Sequence, residues 1–406
     1  MQTDLAKFIR DTEQGIEADR ILRACVHCGF CNATCPTYNL LGDELDGPRG
    51  RIYQIKQVLE GKPATTATQI HLDRCLTCRS CETTCPSGVE YSRLLDIGRE
   101  VVGKQIARKP MEKTIRFGLR KLLTTKGLFP NALAVGRMVR PILPAALKDK
   151  IPQKEQIPQV ELSTHSRSII LAEGCVQPTY KPATNVHTAR LLDRLGIEAI
   201  KVSQEVCCGA VSFHLDAIDE AKRLMRRNID AWWPHVETGA EAIVSTASGC
   251  GVMIKDYGHA LQADRDYAEK AARVSSLAVD ISEVLAKENY SRLINKTRTK
   301  VAFQSPCTLQ HGQKLAGNVE KILAGAGYKL TPVENPHLCC GSAGTYSILQ
   351  KELSKKLQKN KIDSLEDGAP DVIVTANIGC QVHLESVASV PVKHWIVLLD
   401  EAMQDA

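Results

Sequence analysis

The 406-residue sequence has no apolar run long enough to span a bilayer. Even SIILAEGCV and WIVLLDEAM fall far short of the roughly 20 residues a transmembrane helix needs. The opening segment, MQTDLAKFIRDTEQG, lacks the apolar core of a secretory signal, so export by that route is not expected. No convincing G-x-G-x-x-G follows a candidate strand, which leaves no dinucleotide fingerprint for a flavin or nicotinamide on this chain. A nucleophile–base motif is missing too, and so is a nucleic-acid reader motif, so nucleic-acid binding is not expected. Composition is otherwise ordinary, at 43% hydrophobic and 24% charged, which argues against disorder. The length suggests two or three domains. These absences point to a soluble or peripheral cytoplasmic protein.

Cysteine is not lacking: there are 16. In a reducing compartment, cysteines are more often metal ligands or redox groups than structural disulfides. Eight fall in two copies of C-x2-C-x2-C-x3-C-P: Cys25, Cys28, Cys31 and Cys35 before Pro36, and Cys75, Cys78, Cys81 and Cys85 before Pro86. Two-residue spacers let three thiolates of one tight loop reach three irons of a cubane, and in paired arrangements the fourth cysteine serves the other cluster. The spacing therefore predicts two 4Fe–4S clusters, one on Cys25, Cys28, Cys31 and Cys85, the other on Cys75, Cys78, Cys81 and Cys35. Zinc, the usual occupant of paired C-x2-C units, is disfavoured by four closely spaced thiolates ending in Cys-Pro. His27, inside the first loop, is expected to pack or hydrogen-bond. Arg49 and Arg51 either raise a cluster's potential by their charge or cap acids such as Asp43 and Glu44.

The other eight cysteines form an internal repeat. Cys175, Cys207, Cys208 and Cys250 are matched by Cys307, Cys339, Cys340 and Cys380, at offsets of 132, 132, 132 and 130 residues. The flanks agree, EVCCGAV with HLCCGSA and AIVSTASGCGV with VIVTANIGCQV, so a domain is duplicated. Each copy opens on an apolar run ending at a cysteine, then passes through a helical pattern, HTARLLDRLG or NVEKILAGAG, to a second apolar run. Strands alternating with helices predict a parallel sheet, with the cysteines at the carboxyl ends of strands. Three roles compete for them: iron–sulfur ligation, a redox-active thiol set, and buried structural cysteines. The repeated CCG weighs against the last, and the glycine after each pair suits close backbone approach.

Ile52, Ile55, Val58 and Leu59 share one helical face between the two cysteine loops, and Gly61 supplies a stop. The first hundred residues otherwise carry few large apolar side chains, so metal is expected to supply much of their folding energy. From Val101 to Glu155 there are 13 Lys or Arg against 3 acids, interleaved with leucines. This stretch either sits on an anionic membrane or acidic partner, or forms solvated helices joining two domains. The proline-rich residues 141–159 read as a linker.

These motifs together resemble one family, the iron–sulfur subunits of bacterial glycolate oxidases. The resemblance spans essentially the whole chain and rests on HCGFCNATCP, GDELDGPRGRIY, CLTCRSCETTCPSG, NIDAWWP, LCCGSAGTY and TANIGCQ. It implies an α-helical ferredoxin-like domain with two 4Fe–4S clusters (1–100), a basic helical segment and linker (101–165), and two duplicated α/β cysteine-rich CCG domains (166–298 and 299–406). It also implies a separate FAD subunit that oxidises glycolate, and often D-lactate, with this chain relaying electrons towards a quinone at the cytoplasmic face of the inner membrane. It implies as well that CCG domains can bind iron–sulfur clusters; with four cysteines retained in each, the alternatives here are a cluster, a different metal arrangement or nothing. Heterodisulfide reductase, a related architecture, ends each CCG motif C-x-x-C; here the matching positions are Met253, expected in the core, and His383, expected to pack rather than ligate. Alternatives are the iron–sulfur subunit of an anaerobic glycerol-3-phosphate or lactate dehydrogenase, a heterodisulfide-reductase-like thiol enzyme, and an assembly subunit whose clusters only hold the fold.

Overall fold

The computed structural model describes residues 1–142, 154–155, 157–293 and 297–404. Most of the expected linker, residues 143–153 and 156, lies outside the described residues. The chain divides into two compact units: Met1–Ile115 with Ser305–Leu315 and Val333–Ser364, and Arg116–Gln304 with Ala316–Pro332 and Leu365–Ala406.

The first unit is helical. Thr12 accepts from the Gly15 N–H to start Glu13–Ala24, Pro48 opens Pro48–Leu59 from its first turn, and Thr65 caps Thr66–Asp73. Their apolar faces meet that of Tyr91–Gln105 in a core that includes Ile21, Leu22, Ile52, Ile55, Leu59, Leu72, Leu94 and Leu95. Each such side chain, taken fully out of water, contributes about 1.5–3 kcal/mol. The core lies beside the cysteine loops, with Cys25 and Cys81 among its members. A second, smaller cluster of buried residues joins Leu76 and Cys78 to Cys307, Cys339, Tyr346 and Leu357.

The second unit holds two parallel four-stranded sheets. Strands β1 (Arg167–Ala172), β2 (Ile197–Ile200), β3 (Ile243–Ser245) and β4 (Ala278–Asp280) run in the order β2-β1-β3-β4. Strands β5 (Lys300–Gln304), β6 (Lys329–Leu330), β7 (Val372–Thr375) and β8 (Val392–His394) repeat it as β6-β5-β7-β8. Ile170 pairs with Ile243 in one sheet and Ala302 with Ile373 in the other. Burial on both faces suits the near-continuous apolar runs IILA and VIVT. The order reverses between β1 and β3, and between β5 and β7, and such a reversal opens a crevice at the strands' carboxyl ends. No helix among the described residues is long and apolar enough to cross a membrane.

Candidate iron–sulfur centres

The two N-terminal loops share one backbone path, displaced by 50 residues. The Cys25 and Cys75 N–H groups donate to Leu22 O and Leu72 O, each at 3.2 Å. Those of Cys35 and Cys85 donate to Asn32 O and Glu82 O at 3.1 and 3.2 Å. Left-handed residues recur at matching places, His27 (φ 57°) and Gly29 (φ 86°) in one loop, Thr77 (φ 53°) and Arg79 (φ 59°) in the other. Three of these four are not glycine, and each costs about 1–2 kcal/mol to hold there. That curl brings three cysteines per loop to one cavity. The loops also meet directly, with the Thr34 and Thr84 hydroxyls 3.1 Å apart.

The first cavity, about 420 Å³ and, like the second, open to solvent, is lined by Cys25, Cys28, Cys31, Cys81 and Cys85. The second, about 300 Å³, is lined by Cys35, Cys75, Cys78 and Cys81. Electrostatics divide the thiols in the same way. Burial pushes the Cys31 thiol up to about 11, helped by Cys25 and Cys85. Burial likewise raises Cys78, with Cys307, Cys75 and Cys35 adding to it, and Cys81, with Cys78, Cys75 and Cys35 adding to it. Crowded thiols that resist ionisation together are what a multivalent cationic centre relieves, since binding releases their protons. The buried Nε2 of His27, which has no partner among the described residues, lines the first cavity and suits a donor to a cluster sulfide. The residues present therefore fit 4Fe–4S clusters.

The second cavity has a buried cation. The Arg51 guanidinium donates to His71 O at 2.7 Å and to the Thr37 hydroxyl at 3.1 Å, and lies 3.4 Å from Asp46. Burial works against its charge, but the surrounding Tyr91, Cys75, Cys35 and Asp46 outweigh it and raise its pKa. The Thr37 hydroxyl lies 3.3 Å from Cys35 Sγ, and the Tyr91 hydroxyl donates to Cys75 Sγ at 3.7 Å. Arg49 instead pairs with Glu44 at 2.6 Å beside the first cavity, so each arginine both faces a cavity and neutralises an acid. Asp46 is also paired with Arg74 at 2.8 Å, so a counter-charge for it remains if Arg51 is replaced. Arg51→Gln is therefore expected to lower the midpoint potential of the second centre by on the order of 100 mV. An EPR redox titration reads it; an unmoved potential leaves Arg51 as a structural partner of Asp46.

In the first repeat, Cys175 follows β1, Cys207 and Cys208 follow β2, and Cys250 lies on helix Ser248–Lys255 after β3. The thiols influence one another's ionisation. The neighbouring Cys175 and Cys208 thiols, with the backbone N–H groups of Gly209 and Val211, favour the Cys207 thiolate and hold it well below the usual thiol range. Its partners Cys175 and Cys208 are correspondingly raised. Burial pushes the nearby Glu205 carboxyl up to about 7, although the Gly174 N–H donates to it at 2.9 Å. Met253 is buried in the apolar core of this domain.

In the second repeat, Cys307 and Cys339 lie 3.9 Å apart, sulfur to sulfur, with Cys340 buried next in sequence. Cys380 sits on helix Ile378–Glu385, where the Asn377 amide donates to its sulfur at 3.4 Å, and His383 lies half-buried on the same helix. Sequence reasoning missed three residues beside the thiols: Tyr91, Thr37 and Tyr346. No spacing rule attaches a lone hydroxyl to a cysteine sulfur, whether it follows closely in sequence, as Thr37 follows Cys35, or comes from further away, as Tyr91 and Tyr346 do.

Paired cysteine loops of ferredoxin type followed by two parallel-sheet domains with cysteines beyond their strands define a class of iron–sulfur protein. A 4Fe-4S dicluster domain is matched over residues 21–89, and a Cysteine-rich domain over 170–255 and again over 301–385. The chain is 53% identical, over the full length of both proteins, to the glycolate oxidase iron-sulfur subunit of Escherichia coli K12. It is 30% identical over 89% of its length to the probable glycolate oxidase iron-sulfur subunit of Bacillus subtilis, covering 88% of that protein. A lactate utilization protein A of Bacillus licheniformis matches 52% of the chain, and 87% of itself, at 28% identity. A crystal structure of a hypothetical Helicobacter pylori protein shares the fold, with a TM-score of 0.56 over 97% of this chain and 72% of that one, at 9% identity. The chain belongs to the glycolate oxidase iron–sulfur subunit family.

Proposed function

We propose that this chain carries electrons within a glycolate-oxidising complex, with one cluster on Cys25, Cys28, Cys31 and Cys85 and the other on Cys75, Cys78, Cys81 and Cys35. The observation that carries the reading is that Pro48, Cys81 and Tyr91 line both cavities. Two stations divided by a single layer of side chains suit transfer from one to the next. The clusters supply reversible one-electron exchange. The chain's own residues hold the thiolates, bury Cys78 in an apolar cluster, and place the Arg51 charge and the Thr37 and Tyr91 hydroxyls against the sulfurs.

The two-electron step on the hydroxy acid is assigned to a FAD subunit, because this chain has no dinucleotide fingerprint. Onward transfer runs towards a quinone, with the chain peripheral on the cytoplasmic face of the membrane. The packing of Cys78 against Cys307 and Cys339 favours the second repeat as an extension of the route. The thiols Cys307, Cys339, Cys340 and Cys380, and the set Cys175, Cys207, Cys208 and Cys250, are candidate ligands of further clusters. Glycolate added anaerobically to the chain in complex with its flavoprotein is expected to give reduced-cluster EPR signals, with about eight irons for two clusters and more if the repeats are loaded. Clusters that stay oxidised while the flavin is reduced would reject the relay and leave them a purely structural role.

A further inference from the structure

Helix Leu128–Val139 carries only two polar side chains, Asn131 and Arg137, yet none of its 12 residues is buried. A helix apolar on all sides is ordinarily a core or membrane element. This one is too short to span a bilayer. The helix before it, Pro110–Thr124, is inverted: its one buried residue is Arg116, 3.9 Å from Asp216. Arg120 and Lys121 reach Glu220 at 3.7 and 3.2 Å, so cations hold this helix to the α/β unit. Its Phe117 meanwhile stands 54% exposed.

Single exposed apolar side chains are ordinary. Here they are concentrated: among the described residues, seven of the 18 exposed large hydrophobic residues lie between Met111 and Ile142, among them Val135 at 59%, Met138 at 79% and Ile142 at 84%. Charge in the same stretch is one-sided. Residues 108–142 contain nine Lys or Arg and one acid, Glu112, which Arg108 neutralises at 2.8 Å. Lys113, one turn before Phe117, and Lys126, just before Leu128, are both exposed. Protein-binding patches are depleted in lysine, whereas apolar helices with flanking lysines suit the headgroup layer of an anionic bilayer.

We propose that Phe117, helix Leu128–Val139 and Ile142 form an interfacial element that lies in the surface of an anionic lipid membrane, with Val135, Met138 and Ile142 entering the acyl boundary. The proposal deepens the reading of a relay that ends at a membrane acceptor, but its test does not involve electron transfer, so either can fail alone. The cluster-loaded full chain is mixed with vesicles of phosphatidylglycerol and phosphatidylcholine, or of phosphatidylcholine alone, and recovered by flotation. Binding is expected with the anionic vesicles, weakening as salt rises, and falling at least tenfold for Val135→Glu/Met138→Glu. Both substituted side chains are exposed, so iron content and circular dichroism are expected to stay at wild-type values; should they change, Phe117→Ala, expected to bind several-fold more weakly, serves in place of the double variant. Failure of the wild-type chain to bind anionic vesicles, or equal binding by wild type and variant, would overturn the proposal. Unchanged vesicle binding by a variant that no longer co-elutes with the flavoprotein would also overturn it and assign the surface to a protein partner.

Discussion

Cys78→Ser, tested in the assembled complex, is expected to cut glycolate-driven acceptor reduction by on the order of 100-fold or more and to remove one of two EPR signals. Even partners outside the ligand set typically change metal affinity or activity 10–100-fold, and a lost ligand costs more. Cys78 is buried, 9% exposed, in a cluster with Leu76, Cys307, Cys339, Tyr346 and Leu357, which hinders a small thiol from reaching the vacated position. Cys28 occupies the corresponding place in the other loop but is exposed. Cys28→Ser is therefore expected to recover part of its signal and turnover when 2-mercaptoethanol supplies the missing sulfur, while Cys78→Ser stays silent. Rescue of both would show that a small thiol reaches the Cys78 position, whereas turnover by unrescued Cys78→Ser at the wild-type rate would show that electrons do not pass through the centre in the second cavity.

The contrast between Cys28 and Cys78 marks where the sequence was legible. Spacing alone groups the cysteines, because a 4Fe–4S cluster demands a short loop and the loop is local. The repeat register, and the face formed by Ile52, Ile55, Val58 and Leu59, were readable for the same reason: both depend on periodicity along a few turns. Burial of Cys78 was not readable, since it comes from residues more than two hundred positions away. The same holds for Arg51, whose charge could be weighed only once Asp46, Thr37 and His71 were placed around it. The first hundred residues also hold a larger core than their sparse apolar content suggested, because Leu72, Leu94 and Leu95 meet Ile21 and Leu22 on three helices. The basic stretch is the most instructive case. Periodicity reveals that stripes exist but assumes the apolar one faces inward; at Arg116 ion pairing to Asp216 reverses that assumption.

Matching glycines in the two repeats are expected to differ sharply in what they tolerate. Gly209 and Gly341 each follow a cysteine pair and each sit in the left-handed region, at φ 93° and 89°. A side chain there costs about 1–2 kcal/mol in backbone strain alone. At Gly209 an added Cβ would approach nothing closer than 3.2 Å, the Ala221 carbonyl oxygen. At Gly341 it would lie 2.5 Å from the Ser354 carbonyl oxygen and 2.9 Å from Leu357 Cβ, and helix Lys351–Glu366 cannot retreat without moving Leu357, part of the cover over Cys78. Overpacking of this kind adds about 1–3 kcal/mol. Gly341→Ala is therefore expected to lose about 2–5 kcal/mol against about 1–2 kcal/mol for Gly209→Ala. Urea titration followed by far-UV circular dichroism checks the difference. Alkylation of Cys339 and Cys340 in the native protein checks its location, and is expected to accelerate only in Gly341→Ala. Equal losses would mean that the second repeat's cysteine loop is no more tightly packed than the first, and the argument for electron passage beside Cys78 would lose its structural support.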